Sequence, residues 1–204
     1  MFDIPINRPG IRGEPFPNAV KLKTDLSTYP RTEYTPGGTA LSRFLWYFTN
    51  VLFFMNPLNP VSSLKVVLLR WFGATVGEGV VIKPSVNIKY PWRLHIGNHV
   101  WIGEKAWIDN LGDVFIADHC VLSQGVMLLS GSHDFSRCTF NVQIDKIVLE
   151  EGVWIGARAI VYMGATCKSH CILGANSIAL KDMDSYAIYY GNPAVKISER
   201  VIHA

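Results

Sequence analysis

The chain has 204 residues, 49% of them hydrophobic and 17% charged, with a net charge of +3. That is enough for one domain with a real core, and too apolar for a disordered chain. The charge is mild and the Lys and Arg residues are scattered, which excludes the concentrated basic face of a nucleic-acid binder.

Residues 1–40 read as an irregular N-terminal arm. Its start, MFDIPINRPG, lacks the basic-then-apolar build of a secretory signal. Cys120, Cys138, Cys167 and Cys171 contain no CxxC pair, so the expectation is free thiols in a reducing cytoplasm. Residues 41–73 read as a helical cap. Within it, 44–55 (FLWYFTNVLFFM) is an apolar run ended by Asn56-Pro57. It is too short to span a bilayer, which needs about 20 apolar residues. A second apolar stretch runs from Val66 to Phe72. Two readings stay open here: helices closing one end of a core, or a peripheral contact with the inner face of a membrane.

From 74 to 193 the sequence is periodic. Aliphatic residues recur every six positions: Val76, Ile82, Ile88; Ile96, Ile102, Ile108; Ile116, Leu122, Leu128; Leu149, Ile155, Val161; Cys167, Leu173, Ala179. A second inward series sits four residues after most of them, from Val80 and Val86 through Cys120 and Val126 to Cys171 and Ser177. A period of six suits neither a helix nor a simple alternating strand. It suits short strands joined by corners, three to a coil, so the fold class is all-β: a parallel β-helix of about five coils. Residues 194–204 are left as a short tail.

The period slips between Ile88 and Ile96, slips again between Ile108 and Ile116, and breaks widely between Leu128 and Leu149. Each break follows the third strand of a coil, so all three project from one corner. That corner carries Tyr90-Pro91-Trp92, then Asp109-Asn110, then a loop at 130–146. A packed solenoid needs no long loop, so this one reads as functional. The outward columns Val81, Trp101, Val121, Trp154, Ile172 and Asn87, Trp107, Met127, Ile160, Ile178 are largely apolar. Two apolar outer faces predict a closed homotrimer.

The loop opens Ser130-Gly131-Ser132-His133-Asp134-Phe135-Ser136. Histidine titrates near neutral pH, and His133 stands where the coil opens, so it is the candidate general base. Ser132-His133-Asp134 is not a hydrolase triad: sequence neighbours seldom point at each other, and Ser132 has no nucleophile elbow. Asp134 or a backbone carbonyl could orient His133 equally well.

The repeats, the SGSHDF loop, VWIGARAIV at 153–161 and GNPAVKI at 191–197 resemble the hexapeptide-repeat acetyltransferases. Within that family, LLRWFGATVGEGVVIKPSVNIKYPWRLHIGNHVWIGE at 68–104 is similar to colanic acid biosynthesis O-acetyltransferases. The resemblance spans roughly 37–204. It implies a left-handed β-helix trimer with sites between subunits, and direct acetyl transfer from acetyl-CoA to a sugar hydroxyl in exopolysaccharide or capsule synthesis, with no metal. His133 matches the family's base. Asn110 lies near a family asparagine that contacts acceptor, and Asp109 and Trp92 share its corner as candidate acceptor-binding residues. Trp154 matches an aromatic wall beside pantetheine, Ala157 and Ala175 match its backbone contacts, and Lys181 and Lys196 match cations near the phosphates. Trimer packing for Trp154 and a solvated charge for either lysine are the plainer alternatives.

His95, His99, His119 and His170 fall on outward repeat positions. They raise a second reading, a trimeric zinc enzyme resembling the γ-class carbonic anhydrases, which would need three histidines to converge across a subunit boundary. A non-catalytic scaffold is the third, and it leaves the His133 loop without a purpose.

Overall fold

The computed structural model describes residues 22–30 and 34–203; the first residues of the arm, on which the expected lack of a secretory signal rests, lie outside them. Helix α1 (Ala40–Thr49) runs into a π-helical turn (Asn50–Phe54), and helix α2 (Ser62–Trp71) follows. The solenoid begins at Thr75.

The solenoid has three faces of parallel strands. The first face stacks Thr75–Val76, Leu94–Ile96, Val114–Ile116, Ile147–Leu149 and Thr166–Cys167. The second stacks Val81–Ile82, Trp101–Ile102, Val121–Leu122, Trp154–Ile155, Ile172–Leu173 and Ala187–Gly191. The third stacks Asn87–Ile88, Trp107–Asp109, Met127–Leu129, Ile160–Tyr162 and Ile178–Ala179. This is the left-handed parallel β-helix of the sequence reading. Its fifteen hexad positions, fourteen aliphatics and Cys167, and the small corner series are buried in one continuous core, which no single coil could form alone.

A partial sixth coil goes beyond the five read from the repeat. Met183 bridges Cys167 on the first face, and Ala187–Gly191 extends the second. The segment expected as a tail contributes a strand, Ala194–Glu199, which pairs antiparallel with Ala187–Gly191 and covers that edge. Met183, Ala187 and Tyr189 fill inward places there in place of the aliphatic hexads, which hid the coil from a periodicity count.

The corners explain the six-residue unit. At the first-to-second corner Gly79, His99, His119, Gly152, His170 and Tyr186 all take positive φ. The five after Gly79 each donate their N–H one coil back, as His99 does to Glu78 O at 2.7 Å and His119 to Asn98 O at 2.9 Å. The left-handed turn costs a non-glycine residue roughly 1 kcal/mol, and the inter-coil hydrogen bond offsets it.

The helices close the open edge of the first coil. Lys65 is fully buried, and its Nζ donates to Ile82 O (3.2 Å) and Lys83 O (2.9 Å). Arg70 Nη2 donates to Val76 O and Gly77 O at 2.8 Å, and Trp46 Nε1 to Ile88 O at 2.9 Å. Unpaired strand carbonyls at a solenoid end invite another chain, and these side chains satisfy them.

Candidate active site

The three breaks in the period do project from one corner, between the third and first faces. The last forms a hairpin, Gly131–His133 against Val142–Ile144, with His133 opposite Val142. Its base is tied to the coil below: Ser130 N donates to Asp109 O at 3.3 Å, and Gly112 N to Ser130 Oγ at 2.8 Å. His133 is exposed at the hairpin's end.

What orients His133 is a backbone carbonyl. His133 Nδ1 lies 3.0 Å from Phe140 O. A carbonyl only accepts, so Nδ1 carries the hydrogen and Nε2 is left with its lone pair. The Phe140 ring stacks on the imidazole, with centroids 4.5 Å apart and planes 10° from parallel. Tyr29 of the arm packs at 6.0 Å. Asp134, the alternative orienter, is spent elsewhere: it accepts from Ser136 N at 3.0 Å and pairs with Arg137 at 3.2 Å. Those hydrogen bonds from Ser136 hold its carboxyl below the usual range.

The arm is laid over this same corner. Asp25 N donates to Cys138 O at 2.8 Å, Trp92 Nε1 to Pro36 O at 2.8 Å, and Tyr34 Oη to Leu111 O at 3.2 Å. Burial pushes the Tyr34 phenol well above its ordinary value, so it remains a donor. Gly37 and Gly38 both have positive φ, and a Cβ on Gly37 would stand 2.8 Å from Trp92 Nε1.

Of the candidate acceptor residues, Asn110 is a correction. It is fully buried, its Oδ1 accepts from Tyr90 N at 3.0 Å and its Nδ2 donates to Tyr90 O. A side chain whose amide is used on both ends inside the corner shapes that corner and touches no acceptor. Trp92 and Asp109 line a cleft of about 430 Å³ between α1 and the third face, with Arg43, Tyr47, Lys89 and Trp107. Neither Asn110 nor His133 is in that lining. Lys89 Nζ lies 2.9 Å from Asp109 Oδ1, an ion-pair contact outside hydrogen-bond geometry.

The cofactor candidates divide. Trp154 stands outward on the second face, with Nε1 donating to Ser123 Oγ at 2.9 Å. Ala157 and Ala175 occupy equivalent places on successive coils at the second-to-third corner, where Asn176 N donates to Ala157 O at 2.9 Å. Lys196 is on the last strand of that face, paired with Glu199 at 2.6 Å. Lys181 follows the last third-face strand, at the other edge of that face. So Trp154 and the two alanines share one edge of the solenoid, and His133 leaves from a different corner.

The histidines of the zinc reading have other partners. His95 stacks on Phe115 (4.6 Å, 8°), His99 on His119 (5.3 Å, 15°), and His170 packs on Tyr186 at 4.8 Å. Among the described residues no three or more His, Cys, Asp or Glu side chains gather as a metal site requires.

Sequence reading missed Phe140, Tyr29, Arg43, Tyr47 and Lys89. Phe140 had one signal, its place across a hairpin from His133. The others meet the site only through tertiary packing.

No family model matches the chain. WcaF of Escherichia coli K12, which carries the name of a colanic acid biosynthesis acetyltransferase, is 36% identical over 177 residues, covering 87% of this chain and 97% of that one. The chain belongs to the hexapeptide-repeat acetyltransferases. The Escherichia coli galactoside O-acetyltransferase is 27% identical over 135 residues, covering 65% of this chain and 66% of that one. Two solved structures share the fold. One is a Vibrio cholerae acetyltransferase complexed with acetyl coenzyme A: TM-score 0.74, 18% identity, 87% of this chain and 98% of that one. The other is a galactoside acetyltransferase in complex with coenzyme A: TM-score 0.69, 24% identity, 78% and 80% of the two chains.

Proposed function

We propose that this acetyltransferase moves the acetyl group of acetyl-CoA onto a sugar hydroxyl in exopolysaccharide or capsule synthesis, with His133 as general base. The observation that carries the reading is the Nδ1 contact of His133 with Phe140 O, which leaves Nε2 as the exposed proton acceptor. The ring stack fixes the direction in which Nε2 faces. As the acceptor oxygen bonds to the acetyl carbon, Nε2 takes the hydroxyl proton. The carbon–sulfur bond then breaks, and the departing thiolate takes the proton back from His133, giving CoA and the ester. No acyl-enzyme is required.

The donor site we assign is shared between copies. Trp154, Ala157 and Ala175 line one edge and His133 projects from another corner, so a site using all four is built by two chains of a trimer. Trp101, Trp107 and Trp154 are exposed in the isolated chain, as expected for faces that pack in a closed ring. Small side chains at 157 and 175 leave the corner backbone open to a pantetheine arm. Lys181 and Lys196 are the cations for its phosphates, Lys196 by exchanging Glu199. On the acceptor side, the cleft holding Trp92 and Asp109 offers aromatic faces beside charged groups, which suits a saccharide. Buried thiols at Cys120, Cys167 and Cys171 support a reducing, cytoplasmic setting.

The test is acetyl-CoA-dependent thiol release with free, nucleotide-linked and lipid-linked sugars, alongside mass by light scattering. Saturable turnover on a sugar by a trimer is expected. Thiol release that no sugar stimulates refutes the acceptor class, and an active monomer refutes the shared site.

A further inference from the structure

We propose that the outer side of α1, the π-helical turn and α2 is a docking face for an anionic lipid bilayer. The inference stands on the helical cap alone and does not depend on the acetyl-transfer reading.

These helices have an inner and an outer side. Trp46, Asn50 and Phe54 from the first helical run, and Lys65, Leu68 and Leu69 from the second, are buried against the first coil. Among the described residues nothing packs on the opposite side, and it is apolar. Along α1 and the turn, Leu41, Phe44, Leu45, Phe48, Leu52 and Met55 recur at helical spacing, each exposed by 43% or more. On α2 the stripe is Leu64, Val67 and Trp71, with Trp71 78% exposed, and Leu58 between the helices is 85% exposed. A helix facing water carries charge on its outer side. Here the exposed positions from Phe44 to Val67 hold no charged side chain. Apolar exposure on this scale marks an interaction surface.

Charge selects the occupant. From Tyr34 to Gly77 the chain has Arg43, Lys65 and Arg70 and no Asp or Glu. Lys65 is spent inside, and Arg70, although it also caps Val76 O and Gly77 O, is exposed at the rim, as is Lys83 where the first coil meets α2. An uncharged aliphatic and aromatic face, with Trp71 and Tyr47 near its border and Arg70 and Lys83 at its rim, complements a surface of acyl chains beneath anionic headgroups. Among the described residues no helix is long and apolar enough to cross a membrane, so the face lies on the bilayer. The acceptor cleft opens beside it, because Tyr47, Val51 and Met55 belong to both.

The experiment is flotation of the full chain with vesicles of phosphatidylcholine alone or mixed with phosphatidylglycerol, with mass measured in parallel. Wild type is expected to float with the mixed vesicles and much less with the neutral ones. Phe48→Glu with Leu52→Glu is expected to lower partition by more than about 100-fold, since two buried apolar side chains are lost. Both positions lie on the outer side and outside the cleft, so circular dichroism and turnover of a soluble sugar should be unchanged. Should the double variant misfold, Phe48→Gln alone is expected to reduce flotation by about tenfold. Wild type that stays with the soluble fraction on both vesicle types overturns the proposal. So does an assembly larger than a trimer that falls apart in the variant, because the face then belongs to a second copy.

Discussion

Replacing His133 by Ala separates chemistry from folding more cleanly than any other change in this chain. The imidazole is exposed on a hairpin. Its loss removes one hydrogen bond, to Phe140 O, and one ring stack. Those are worth about 1 kcal/mol and about 0.5–1.5 kcal/mol in general, and exposure puts both near the low end. The expected cost in stability is therefore about 1–2 kcal/mol, a few degrees in Tm for a chain of this size. Loss of a general base costs about 10²- to 10⁴-fold in rate, which is about 3–5 kcal/mol of transition-state stabilisation. Thiol release at saturating acetyl-CoA gives kcat, and differential scanning calorimetry gives Tm on the same preparation. The expected result is kcat down at least 100-fold with the assembly intact. A variant retaining more than a tenth of wild-type kcat would show that Nε2 of His133 does not take the proton.

Four further outcomes follow from the geometry. Trp154→Ala should raise the KM for acetyl-CoA while leaving kcat within about tenfold, because a binding wall is lost and no proton acceptor is; steady-state kinetics in both substrates checks it. Lys65→Met should lower stability by about 1–3 kcal/mol, since Ile82 O and Lys83 O lose a buried donor; urea unfolding monitored by circular dichroism reads it. Native protein should show one fast thiol with a disulfide reagent and the rest only on unfolding: Cys138 is exposed, whereas burial pushes the Cys120 thiol up to about 12, and the hydrogen bond with Cys171 together with burial holds Cys167 well above its ordinary value. Finally, Asp118 accepts from Asn98 N at 2.7 Å, which lowers its pKa on folding. The unfolded chain then binds more protons in this range, so the contribution is complete above the unfolded value of about 3.9 and is lost as pH falls through the depressed one. The Tm advantage of wild type over Asp118→Asn should accordingly shrink from pH 6 toward pH 3.

The sequence by itself determined the solenoid. A strand inside a coil is buried against the strands above and below, so every coil needs an aliphatic at the same phase, and Ile82, Ile102, Leu122, Ile155 and Leu173 record that phase directly. Interruptions of the phase located the corner from which the His133 hairpin projects, because extra residues between two phased strands have nowhere to go but outward. The partial sixth coil escaped, since Met183 follows Ala179 by four residues, and it and Tyr189, six residues on, fill inward places that the earlier coils give to aliphatics.

What only the tertiary structure decided is which polar atoms are already spent. Asn110 and His133 stand on the same corner as sequence, yet Asn110 is consumed by Tyr90 inside the turn while His133 keeps Nε2 open. Asp134 neighbours His133 in the chain but bonds to Ser136, and the carbonyl that orients the imidazole comes from Phe140 across the hairpin. Hydrogen bonds are allotted by direction and distance in space, and a one-dimensional pattern carries neither. The apolar run at 44–55 shows the same division. Its composition left open a helix closing the core or a contact with a membrane, and only the packing of Trp46, Asn50 and Phe54 against the first coil revealed that the opposite side is left uncovered by the described residues.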